Sequence, residues 1–130
     1  MIADTTFIID LLIRDRKAVK KADELEESGV TISVSSPTIF ELFAGIALSR
    51  KAEEEKSKIS TILSSLPQLV LDSPSASAGG LIHGEKIRAG QSIDPEDAMI
   101  AGIARVNSEK VLTRNIRHYS GIEGVTIENY

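Results

Sequence analysis

The segment Met1-Ile2-Ala3-Asp4-Thr5-Thr6-Phe7-Ile8-Ile9-Asp10-Leu11-Leu12 decides how the rest of the chain is read. A short apolar run stops at a carboxylate and two hydroxyls follow. Phe7, Ile8, Leu11 and Leu12 then fall at helical spacing, which predicts a strand, an acid and a helix in immediate succession. Asp4 thus ends a first strand. In an open α/β sheet the crevice outside the strand ends is where ligands bind, lined by loops and helix N-termini. An Asp at this place also caps the helix that follows, because its side-chain oxygen satisfies amide donors left free in the first turn. Both roles are open to Asp4 on this stretch alone.

Working outward, Ala18 to Ser28 carries apolar residues at Ala18, Ala22 and Leu25 among charges, an amphipathic helix closed by Gly29. Val30-Thr31-Ile32-Ser33-Val34 is β-branched and reads as the second strand. Ser35-Ser36-Pro37 opens a helix that runs to Leu48, with Pro tolerated in the first turn. Arg50 to Ser65 is a charged helix that packs through Ile59, Ile62, Leu63 and Leu66, and Leu69-Val70-Leu71 reads as a third strand. Asp72-Ser73-Pro74 starts a helix over Ser75 to Ala89, whose Ala and Gly content suggests close helix packing; His83 within it reads as a partly exposed residue. Asp94-Pro95-Glu96-Asp97 begins the next helix, with Asp94 as its cap. Val111 to Asn115 makes a fourth strand, Ile116 to Tyr119 a helical turn, and Val125-Thr126-Ile127 a last strand. Strands alternating with helices predict a mostly parallel sheet of about five strands with helices on both faces, a three-layer α/β/α fold.

At 130 residues the chain is expected to form one domain, 1–130. It holds no cysteine, and His83 and His118 lack the spacing of a histidine cluster, so any metal must be a hard cation held by carboxylates. The net charge of −4 argues against coating nucleic acid by bulk electrostatics. It does not exclude a nuclease with a local basic rim. Arg105, Lys110, Arg114, Arg117 and His118 crowd the last third, either as such a rim or as a solvated surface. The opening residues lack a basic leader and no apolar run reaches membrane-spanning length, so a soluble, cytoplasmic protein with no membrane partner is expected.

Further acids stand in settings like that of Asp4. Glu41 is flanked by Phe40, Leu42, Phe43, Ile46 and Leu48, and a carboxylate that shares a buried face must be paired or bind a cation; a solvent-facing Glu41 is the alternative. Asp97 precedes an almost wholly apolar stretch through Ala104, which makes it a better inward-facing candidate than Glu96. With Asn115 at the end of the fourth strand, three carboxylates and a carboxamide would converge on the sheet edge, repelling one another unless a cation neutralises them. Magnesium or manganese does so, and assists phosphodiester cleavage.

These residues carry a resemblance. Ile2 to Asp10, Thr38-Ile39-Phe40-Glu41-Leu42-Phe43-Ala44-Gly45, Asp97-Ala98-Met99-Ile100-Ala101 and Val111 to Tyr119 look like the successive motifs of PIN domains, and among these the chain most resembles the VapC toxins of type II toxin–antitoxin systems. The resemblance implies a Mg²⁺- or Mn²⁺-dependent endoribonuclease acting on RNA, inhibited by a cognate VapB-like antitoxin and often a homodimer. By position Asp4, Glu41 and Asp97 match the family's most regular acids, Thr6 its first-motif hydroxyl and Thr113 the hydroxyl before the last site. The last motif usually offers an acid where Asn115 or His118 stands, and here neither is acidic; Asp94 is a candidate substitute. Arg114, Arg117 and His118 are candidate RNA contacts, with Arg114 also supporting the site. An antitoxin is expected to lay an apolar segment along Phe40, Phe43, Ile46, Ile59 and Leu63 and to direct a basic side chain at Asp4 and Asp97. Receiver and haloacid-dehalogenase-like phosphatase patterns fit poorly, since Thr6 stands where the latter need a second Asp. The alternative from another class is a catalytically inactive module of the same fold that binds a partner.

Overall fold

The computed structural model describes all 130 residues, Met1–Tyr130. The elements follow in the order β1 (Ile2–Ala3), α1 (Thr5–Leu12), α2 (Arg16–Glu27), β2 (Ser33–Ser35), α3 (Ser36–Ala47), α4 (Ala52–Ser65), β3 (Gln68–Leu69), α5 (Ser73–Arg88), α6 (Pro95–Val106), β4 (Lys110–Leu112), α7 (Ile116–Tyr119) and β5 (Thr126–Glu128). The sheet has the order β3-β2-β1-β4-β5. Every neighbouring pair is parallel, so the sheet is wholly parallel.

The strand at its centre, β1, explains the layering. Successive side chains of a strand point to opposite faces. Ile2 accordingly enters one core with Ile82, Ile100, Ile103, Val111 and Tyr119, beneath α5, α6 and α7. Ala3 enters the other with Phe7, Leu25, Val34, Leu42, Ile59 and Leu112, beneath α1 to α4. This is the expected three-layer arrangement. Ile2 pairs with Ser33 and Val111, Ala3 with Val34 and Leu112, so Asp4 leaves the sheet where β4 ends and one residue short of the end of β2.

The strands differ from their expected bounds. Val30 to Ile32 lie ahead of the ladder, because β1 begins pairing at Ile2 opposite Ser33. β3 is Gln68–Leu69 rather than Leu69 to Leu71, its partners being Val34 and Ser35; Val70 is exposed and the Leu71 amide turns to Ser36 Oγ at 3.3 Å. β4 stops at Leu112, before Thr113. Gly29, with φ +71°, takes the left-handed conformation that ends α2.

The Gly content of α5 does serve close packing. A Cβ on Gly102 of α6 would fall 2.4 Å from Ser75 O and 2.6 Å from Gly79 N, and one on Gly79 would fall 2.8 Å from Ala98 O. The two helices touch backbone to backbone, which fixes the N-terminus of α6 against the sheet. No helix is long and apolar enough to cross a membrane.

Candidate active site

Asp4 caps α1 from the carboxyl end of β1. Its Oδ1 accepts the Phe7 amide at 2.9 Å, capping α1, while its Oδ2 accepts the Thr113 hydroxyl at 2.5 Å. The side chain is almost wholly buried. Burial raises its pKa above the usual carboxylate value, and the charge of Asp97 adds to the rise; the bonds from Thr113 and Phe7 oppose it. Thr113 lies beyond β4 and also accepts the Asn115 amide at 2.9 Å, so one hydroxyl ties both strand ends together.

Glu41 is half-buried on α3 and turns toward the same sheet edge. Thr5 Oγ donates to its Oε1 at 2.7 Å, and Thr38 and Ser35 continue the hydroxyl chain at 3.2 and 3.3 Å. Burial raises the Glu41 pKa, Thr5 opposes the rise, and the charges of Asp97, Glu96 and Asp4 add to it. The apolar surroundings expected of Glu41 are not uniform: Phe40 and Phe43 are exposed on the side of α3 that leaves the sheet, and Leu48 is exposed just past the end of the helix.

Asp97, in the first turn of α6, is gripped from α7. His118 Nδ1 lies 2.8 Å from its Oδ2, and the fully buried Tyr119 donates its hydroxyl to Oδ1 at 3.0 Å. Burial and the nearby charges of Asp97, Asp4 and Glu41 push the Tyr119 phenol far above its ordinary value, so it stays a donor.

The three acids matched by position therefore face one edge from β1, α3 and α6 and feel one another's charge. They do not form a closed cage: nowhere do three acids or histidines stand close enough to enclose one ion. Their donor set still suits a hard divalent cation, being all carboxylate oxygen, crowded and partly desolvated. Mg²⁺ commonly takes only one or two carboxylates and completes its shell with water and phosphate oxygens.

The fourth-acid candidates behave differently from one another. Asn115 donates Nδ2 to Thr6 Oγ1 at 2.9 Å, bracing the first motif. Asp94 is exposed and makes no side-chain cap bond, although it precedes α6 as expected. It lines a polar cavity of about 510 Å³ with Ser92, Arg114, Asn115, Arg117 and His118. The basic cluster read in the last third divides. Arg105 donates to Glu123 O and Lys110 lies 3.8 Å from Glu128, so only Arg114, Arg117 and His118 face this cavity.

Asp10 was not among the expected site residues. It is buried in α1, accepts the Tyr130 hydroxyl at 2.8 Å and pairs with Arg114 at 3.1 Å, holding that guanidinium beside the cavity. The signal was present: an acid set among Ile8, Ile9, Leu11 and Leu12 poses the same question as Glu41. An apolar groove of about 340 Å³ lies alongside, lined by Ile9 and Leu12 of α1 with Ile13 just past its end, Leu42 and Ile46 of α3 and Ile59 of α4, and Glu41, Glu55 and Lys58 share its lining. Of the expected groove residues, Ile46 and Ile59 line it. Phe40 and Phe43 are exposed outside it, and Leu63 packs in the core.

The PIN domain family model matches residues 1–121. The tRNA(fMet)-specific endonuclease VapC of Salmonella typhimurium is 34% identical over 97 residues, covering 75% of this chain and 74% of its own length. The protein of the same name from Shigella flexneri is 29% identical over 127 residues, 98% of this chain and 95% of its own. Among solved structures, a chain of DNA-bound VapBC from Salmonella typhimurium has a TM-score of 0.87 at 30% identity, over 98% of this chain and 96% of that one. One from VapBC2 of Rickettsia felis reaches 0.90 at 24% identity, over 99% and 97%, which speaks for the fold.

Proposed function

Because the chain belongs to the PIN-domain family and, at 34% identity to a VapC endonuclease, to the VapC ribonucleases within it, we propose that residues 1–130 form one domain that cleaves RNA phosphodiesters with a divalent cation and is restrained by a VapB-like antitoxin. The observation that carries this is the placement of Asp4, Glu41 and Asp97 on one sheet edge, from three separate elements, each partly desolvated and within reach of the others' charge.

Asp4, Glu41 and Asp97 would hold Mg²⁺ or Mn²⁺. Bound there, the ion supplies Lewis acidity at a phosphoryl oxygen and lowers the pKa of an attacking water. The chain's own residues do the positioning. Thr113 and Thr5 fix the Asp4 and Glu41 carboxylates by donated hydrogen bonds, and Asn115 and Thr6 brace the β1 and β4 ends against each other. Arg114, oriented by Asp10, and Arg117 present guanidinium donors on the cavity beside the acids, where RNA phosphates dock. Asp94, at the cavity rim, repels phosphate or joins a second cation recruited with the substrate.

The groove that has Glu41 in its lining supports the antitoxin reading. An apolar segment laid along Ile9, Leu12, Ile13, Ile46 and Ile59 arrives at the acids, where an arginine or lysine competes for the charge a metal would neutralise. Homodimerisation is part of the same reading and is measured by sedimentation. The test of the nuclease is cleavage of total RNA by the purified, partner-free protein across a Mn²⁺ series, beside Asp4→Asn. Cleavage that requires Mn²⁺ and is lost in the variant supports the site. Absence of both cleavage and Mn²⁺ binding in the parent protein replaces it with the inactive binding module.

A further inference from the structure

The last motif departs from the expected acid, and the structure shows what its residues do instead. His118 and Tyr119 are consecutive on α7, and adjacent residues of a helix do not face one another. Both nonetheless converge on Asp97, which reaches between them from α6. A carboxylate oxygen only accepts, so His118 Nδ1 carries the proton in its 2.8 Å bond to Oδ2. Tyr119, wholly buried, spends its hydroxyl on Oδ1. Of the roughly four lone-pair sites of a carboxylate, two are thus taken by protein donors and two are left, in a plane that neither oxygen can rotate out of. Ligating groups are oriented by such outer hydrogen bonds, and removing one typically lowers metal affinity by about 10–100-fold.

We propose that His118 and Tyr119 are positioning residues that clamp Asp97 between them, so that His118 serves the cation through the Asp97 carboxylate and not as a ligand or RNA contact of its own. This rests on the reading of Asp97 as a cation ligand. The two nitrogens of His118 have different surroundings: Nδ1 is engaged with Asp97, whereas the ring borders the cavity shared with Arg114 and Arg117. Asparagine places an N–H near the position of Nδ1, and glutamine near that of Nε2. The two substitutions therefore separate a clamp from a direct contact.

The experiment is calorimetric titration of Mn²⁺ into the RNA-free protein, with melting temperatures alongside. His118→Ala and Tyr119→Phe are each expected to weaken Mn²⁺ binding by about tenfold or more, with melting temperatures near the parent's, since His118 is half-exposed and Phe preserves the Tyr119 ring packing. His118→Asn restores affinity and His118→Gln does not. Unchanged or tighter Mn²⁺ binding in His118→Ala and Tyr119→Phe overturns the clamp, as does rescue by Gln in place of Asn. Asp97→Asn is the control for the underlying reading. If it leaves Mn²⁺ affinity at the parent value, Asp97 is no ligand and both readings fall; if it abolishes binding while the His118 and Tyr119 variants do not weaken it, the clamp alone falls.

Discussion

Asp4 joins a helix cap to the proposed cation site in one side chain, and two substitutions separate them. Asn keeps an oxygen for the Phe7 amide, whereas Ala loses the cap, which costs about 1 kcal/mol. A carboxyl whose folded pKa lies above its unfolded one binds its proton more readily when folded. Its ionisation therefore costs stability at all pH values above the folded pKa, and the cost fades as pH falls through that value toward the unfolded one. Asp4→Asn is accordingly expected to melt no lower than the parent at pH 7 while losing Mn²⁺-dependent cleavage, and Asp4→Ala to lose both. A destabilised Asn variant, by thermal melting at pH 7, contradicts the burial cost. By the same sign, a cation that binds only the folded site stabilises it, by about 2.7 kcal/mol at a hundredfold excess over its dissociation constant. Mn²⁺ should raise the melting temperature of the parent and much less that of Asp4→Asn, and chelator should reverse the shift.

α5 and α6 meet at Gly102 and Gly79, where any Cβ strikes backbone that cannot swing aside. Gly102→Ala should cost about 1–3 kcal/mol, the range for overpacking a tight interior, read as a lower denaturant midpoint. Because Asp97 sits in the first turn of α6, cleavage should fall even under conditions where the variant remains folded. α1 contributes a different surface. Ile13 is 70% exposed and lines the groove beside Glu41. Ile13→Glu should weaken inhibition by an antitoxin by at least about tenfold, as loss of an apolar anchor does, and leave cleavage by the free protein unchanged. Inhibition that survives in this variant moves the antitoxin to another face.

Over the whole molecule the charge is −4, and the cations lining the cavity next to the acids reduce to Arg114 and Arg117, with His118 engaged by Asp97. Each phosphate contact to a single strand contributes a slope of about −0.7 to the dependence of log affinity on log salt, so two contacts give about −1.4. Binding of a non-cleaved RNA to Asp4→Asn, measured from low to physiological salt, should show this shallow dependence. A slope several times steeper points to a wider basic surface than the cavity provides.

The order of elements, the parallel architecture and the gathering of Asp4, Glu41 and Asp97 toward one sheet edge were legible in the chain, because helical spacing, caps and apolar runs depend on residues a few positions apart. So was the absence of an acid at Asn115 and His118, which is read directly from the last motif. Strand lengths were not, because a ladder ends where its partner does: Val30 to Ile32 are β-branched yet precede the first β1 pair. Nor was the side of α3 that Phe40 occupies, for periodicity marks a face without saying what covers it. The partners of the acids were hidden for the same reason. Thr113 reaches Asp4 across 109 residues, Tyr130 reaches Asp10 across 120, and His118 and Tyr119 meet Asp97 across 21 and 22. Which donor satisfies a buried carboxylate is set by the packing of elements distant in sequence, and only the folded chain brings those elements together.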